Sequence, residues 1–165
     1  MVDSFTNPTL GQLSLDETVS AICQFLQEDS GSDYSLVIGS DSQEKRVNGH
    51  AEVDFVTAIV VHRHGRGGRY FWQKIKKNKV PTLRNKIYTE TMLSLNLAQI
   101  LVPAVKKHLN GQVSNYNLEI HIDVGEFGQT REMIKEVVGM VAGNGFCVKT
   151  KPEAYGAYVV ADKHT

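Results

Sequence analysis

Apolar positions along this chain follow two periods, one near 3.6 residues and one of 2, and the switches between them outline an α/β pattern. Val19, Ile22, Cys23 and Leu26 recur at helical spacing behind a capping box of Ser14 and Glu17, which predicts a first helix running to about Asp29. Residues 1–13 carry no such period and read as a loose N-terminal arm. Leu36, Val37 and Ile38 form a continuous apolar run into Gly39-Ser40-Asp41, the pattern of a buried strand with Asp41 at its C-terminal end. A turn at Asn48-Gly49, a second strand over about 51–62, a turn at 65–68 and a third strand over 69–76 complete an antiparallel meander.

Residues 78–82, with Pro81, interrupt the pattern, and helical spacing resumes from about Asn85 to Leu109. Pro103 lies inside that stretch and predicts a kink or split near residue 102. Asn110-Gly111 supplies a stop. Leu118, Ile120 and Ile122 then alternate toward Asp123 as a fourth strand. A helix over about 130–141, a turn at 143–145 and a fifth strand over 146–150 follow. Thr150 and Glu153 form a second capping-box signal, with Pro152 early in a last helix. After the first helix the order is β-β-β-α-β-α-β-α, and 165 residues suit one domain over 1–165.

Composition narrows the picture. With 41% hydrophobic and 22% charged residues the chain is neither disordered nor membrane-like. No apolar run approaches the roughly 18 residues of a transmembrane helix, and the opening MVDSFTNPTLGQLS lacks the basic flank and apolar stretch of a signal peptide. A cytoplasmic location is the expectation, and Cys23 and Cys147, both in apolar patterns, read as reduced core thiols. Formal net charge is zero, yet half of the 18 basic residues fall between Arg63 and Lys86, a stretch without Asp or Glu. Tyr70, Phe71 and Trp72 interrupt it. This composition suits a nucleic-acid surface carried by Arg69, Trp72, Lys74, Lys76, Lys77, Lys79, Arg84 and Lys86; the competing reading is a solvated hairpin whose lysines protect an edge strand.

Four carboxylates carry the candidate chemistry. Asp41 and Asp123 each close an apolar run, and if their strands are parallel neighbours both emerge at one sheet edge, where ligands of α/β proteins collect. Two close carboxylates repel, and a divalent cation removes the repulsion. Ser-Asp-Ser is also good turn chemistry, so Asp41 alone decides nothing. Glu90 shares a helical face with Leu93, Leu97 and Leu101 and therefore points inward, where a carboxylate needs a base, a metal or a route to solvent. An exposed first-turn Glu complementing the helix dipole is the other reading. Asp162 follows Tyr155, Tyr158 and Val159 at helical spacing. Lys163 and His164 beside it suit phosphate contact or proton movement as well as a solvated tail.

The order of elements and the segments VIGSDSQ, YTETM, IHIDVG and KPEAYGAYVVADKHT resemble the ribonuclease H-like superfamily, and within it the YkuK-like family of uncharacterised bacterial ribonuclease H-like proteins. The likeness runs from about Tyr34 to Thr165. It implies a mixed five-stranded sheet of order 3-2-1-4-5, strand 2 antiparallel, flanked by helices, here with an extra N-terminal helix. It also implies a divalent-metal-dependent nuclease using two Mg²⁺ or Mn²⁺ ions. Asp41 would bridge both ions, Glu90 and Asp123 would complete the set, Asp162 would hold the more labile ion, and Glu126 is a substitute or supporting ligand. Two other functions stay open: a catalytically silent nucleic-acid-binding module, and a metal-dependent hydrolase of a small phosphorylated substrate. Against the last stands the lack of a Gly-rich phosphate loop, since Gly65, Gly67 and Gly68 form a hairpin turn.

Overall fold

The computed structural model describes residues 4–79, 81–112, 116–125, 128, 130–154, 160 and 163–164. It opens with a hairpin where a loose arm over 1–13 was expected: β1 (Ser4–Asn7) pairs antiparallel with β2 (Gly11–Ser14), and Thr6 pairs with Trp72 of the sheet. Strands of four residues are too short for a period of 2 to stand out. What fixes the turn is one buried amide, because Asn7 Oδ1 accepts from the backbone N–H groups of Thr9 and Leu10 while its Nδ2 donates to the Tyr70 carbonyl. Both ends of that side chain are satisfied, which lets it be buried.

Ser14 then caps α1 (Leu15–Gln27) through the reciprocal capping box with Glu17, and Val19, Ile22, Cys23 and Leu26 form its buried stripe. Burial pushes the Cys23 thiol up to about 11. Cys147, by contrast, is exposed and not a core thiol, because its strand lies at the sheet edge.

β3 (Tyr34–Val47), β4 (His50–Arg63) and β5 (Gly68–Lys77) form the meander. β3 continues six residues beyond Asp41, so Asp41 sits within the strand, opposite Val56, and not at its end. Residues 42–46 are polar and give no apolar signal; pairing with β4 carries them. The tight turn between these strands needs positive φ at two successive residues, which Asn48 (52°) and Gly49 (80°) supply.

α2 (Leu83–Leu109) begins at Thr82, whose side chain accepts from the Asn85 N–H, and runs unbroken through Pro103 where a split was expected. Leu101 and Val105 on either side of the proline are fully buried, so packing holds the helix across one missing hydrogen bond. Beyond β6 (Tyr116–His121), a 3-10 turn at Arg131–Met133 leads into α3 (Ile134–Ala142) and β7 (Cys147–Lys149). Residues 151–153 form a turn where the last helix was expected to begin; Val160, Lys163 and His164 are helical.

The sheet is mixed and has seven strands, ordered β2-β1-β5-β4-β3-β6-β7, which corrects the five-stranded expectation: the N-terminal hairpin extends it past β5. β4 is antiparallel to β3, whereas β3, β6 and β7 are parallel. One face, with Leu36, Ile38, Ile59, Phe71 and Ile120, forms the main core with α1 and α2. The other carries a smaller cluster of Val37, Val56 and Ala58, against which Trp72 and Val160 pack. Among the described residues no helix is long and apolar enough to cross a membrane.

Because α2 is fixed through its buried face, Leu101→Ala should lower the stability to urea unfolding by about 2–5 kcal/mol. A loss well under about 1 kcal/mol would contradict that anchoring.

Candidate functional site

β3 and β6 pair in parallel up to Gly39↔His121. Asp41 and Asp123 each lie two residues past that last pair, one on each strand. There the pairing of β3 with β6 ends, while β6 stays bonded to β7 through the Ile122 N–H and the Lys149 carbonyl (2.9 Å). The opening this leaves is the kind of crevice in which α/β sheets bind ligands.

α2 packs on β3 and brings Glu90 to this opening. Alternation along β3 puts Ser40 beneath the helix, where its Oγ lies 2.7 Å from Ser94 Oγ and 2.8 Å from Thr57 Oγ1. Ser94 stands one turn beyond Glu90, and Ser40 and Ser94 line the same small pocket as Glu90 and Asp123. Asp41 has the parity of Val37 and, through its pairing with Val56, belongs to the other side of the strand. Its charge nevertheless reaches Glu90 past the open edge.

Glu90 is only 7% exposed. Burial first, and then the charges of Asp41 and Asp123, push its pKa up to about 9, against the opposing pull of Lys86 and a hydrogen bond with Ser42. At neutral pH, with no cation present, the carboxyl keeps its proton. Asp123 is balanced differently. Its Oδ1 lies 2.6 Å from Lys151 Nζ, and since that shielded oxygen has no hydrogen bond of good geometry, the contact is an ion pair. The Lys151 N–H donates to the Val124 carbonyl (2.8 Å), which fixes the lysine's main chain beside the aspartate. A Cβ at Gly125 would stand 3.1 Å from Lys151 Cβ, so a glycine there leaves room for the lysine stem.

Carboxylate oxygens are the hard donors that Mg²⁺ or Mn²⁺ prefers, and the donor set fits such an ion in kind. As the side chains stand, however, no three His, Cys, Asp or Glu among the described residues form a group able to hold one ion. The ammonium of Lys151 occupies one flank of Asp123. Asp162 and Glu126 lie outside the described residues. Lys163 is exposed, and the His164 ring stacks on Trp72 at 3.7 Å and 7°, its pKa lowered by burial and by the charges of Lys163 and Lys74.

The basic stretch divides between several environments. Lys74 lies 3.9 Å from the buried Asp54, which Lys45 approaches to 2.7 Å; Arg84 pairs with Glu136 at 2.8 Å and Lys86 with Glu44 at 3.3 Å. Arg69 covers the Phe25 ring at 4.7 Å. Lys76, Lys77 and Lys79 are exposed. Lys86, one turn ahead of Glu90, connects this stretch to the carboxylates.

Sequence patterns did not single out Lys151, Ser40, Thr57 or Ser94. Ser94 had a signal, four residues beyond Glu90 on the same inward stripe. Lys151 had none, since its partner is far along the chain.

A family model described as Ribonuclease H-like matches residues 17–165. The "Uncharacterized protein YkuK" of Bacillus subtilis (strain 168) is 30% identical over 183 aligned positions, which cover 100% of this chain and 99% of that relative. No solved structure gives a significant match.

The Glu90 proton makes stability depend on pH. The unfolded chain releases it near 4.5, while the folded chain keeps it to about 9, so its stabilising share is full below 4.5, declines as pH rises and is lost above about 9. Glu90→Gln carries no such proton. In EDTA its stability advantage over the wild type should grow between these two values to about 3–6 kcal/mol and then level off. Urea melts across pH read this directly, and a constant difference would contradict the buried, protonated state.

Proposed function

This chain belongs to the ribonuclease H-like family, and on that premise we propose that it is a nuclease that hydrolyses phosphodiester bonds in nucleic acid with Mg²⁺ or Mn²⁺, at the opening where β3 and β6 part. The observation that carries the reading is Glu90. A carboxyl buried between two aspartates costs stability, and the fold keeps it there on the inward face of a helix. A cation at this place offsets that cost.

When bound, the divalent ions supply an activated water and stabilise charge on the leaving oxygen. The chain's own residues do the rest. Asp41 and Asp123, each two residues past the last β3–β6 pair, would hold the ions together with Glu90, whose carboxyl would have to be ionised to serve. Asp162 is proposed as the fourth. Lys76, Lys77 and Lys79 offer exposed charge to the phosphates of a bound strand, and Lys86 extends that charge toward Glu90.

Binding without cleavage is a second reading, favoured by the Lys151 ion pair, which neutralises Asp123 without any metal. The test separates them. Labelled single strands, duplexes, RNA–DNA hybrids and junctions are incubated with wild type, Asp41→Asn and Asp123→Asn, in Mn²⁺ and in EDTA. Cleavage that needs the cation and falls about 100-fold or more in each folded variant supports the nuclease. Binding with no cleavage supports the silent module, and cleavage indifferent to both substitutions removes this site.

A further inference from the structure

Lys151 sits against one carboxylate oxygen of Asp123, a residue proposed above to hold the metal. Its ammonium lies 2.6 Å from Asp123 Oδ1, with the lysine side chain 51% exposed and the aspartate 26%. The backbone beneath it is fixed by the Lys151–Val124 hydrogen bond, and its stem lies close over Gly125. A clamped main chain with a half-exposed, flexible four-carbon stem lets the charged end leave without any strand moving. At this distance an ammonium and a divalent cation sharing one carboxylate oxygen repel each other strongly, so they hold it in turn.

We propose that Lys151 is a built-in counter-ion of the site: its ammonium holds Asp123 while no metal is bound and is displaced when a divalent cation takes that oxygen. This rests on the metal-dependent reading of the same site. It accounts for two observations together. Asp123 Oδ1 is shielded from solvent, with the ammonium as its charged neighbour, and the described carboxylates do not form a ready group for one ion. Asp123 thus has its charge balanced without a metal, and the exchange weakens the affinity of the wild type for its metal.

The test is calorimetric titration of Mn²⁺ into the full chain without nucleic acid, using wild type, Lys151→Met, Lys151→Arg and Asp123→Asn. Removing the competing charge should tighten Mn²⁺ binding about 5- to 10-fold in Lys151→Met. Lys151→Arg, which keeps the charge, should stay near wild type, and Asp123→Asn should bind more weakly. Circular dichroism melts confirm that each variant is folded. Equal or weaker binding by Lys151→Met, alongside clear binding by wild type and its loss in Asp123→Asn, overturns the counter-ion while leaving the metal site standing. If Lys151→Arg tightens binding as much as Lys151→Met, the effect is one of packing and the counter-ion is again overturned. A wild type that takes up no Mn²⁺ overturns the metal reading and the counter-ion with it.

Discussion

The parallel pairing of β3 with β6, kept to Gly39↔His121 and then released, is the constraint on which the candidate site depends. It aligns two strands distant in sequence so that each carries an aspartate the same short distance past the last pair. Beyond that pair β6 stays bonded to β7, through the Ile122 N–H and the Lys149 carbonyl, and no longer pairs with β3, which leaves the gap between them. α2, fixed over β3 by Leu97, Ala98 and Leu101, then has one orientation in which Glu90 reaches that gap. Slipping the register by one residue would send either aspartate to the other face.

Three carboxyls near one opening set a charge problem, and the fold meets it by a different device at each. Glu90 keeps a proton, Asp123 has an ammonium, and Asp41 stands on the other side of its strand, partly open to solvent. The hydroxyls of Ser40, Thr57 and Ser94 satisfy one another beneath the helix, so these three are buried without being stranded.

The basic segment shows how composition and placement differ. In the folded chain Lys74, Arg84 and Lys86 lie beside carboxylates from other elements, Arg69 lies over an aromatic ring, and Trp72 is stacked on His164. The charge that composition concentrates in one stretch is spread by the tertiary structure over β5 and the start of α2. Lys76, Lys77 and Lys79, at the end of β5 and just after it, are exposed.

Much of this architecture was legible in residues alone, because helix and strand periods, capping boxes and Asn-Gly turns act over a few positions. The α1 cap, the meander with its turn at Asn48-Gly49, and the inward face of Glu90 all rest on such local physics. The N-terminal hairpin did not show, since four-residue strands carry too little pattern, and neither did the unbroken course of α2 through Pro103, where burial outweighs a local preference. Asp41 and Asp123 were visible as acids closing apolar runs, but Asp41 lies within β3 and not at its end, and which strands become neighbours is a matter of topology. The proton on Glu90 and the ammonium on Asp123 lay further out of reach. Both arise from desolvation and from charges brought close across long stretches of chain, and only the packed structure sets those distances.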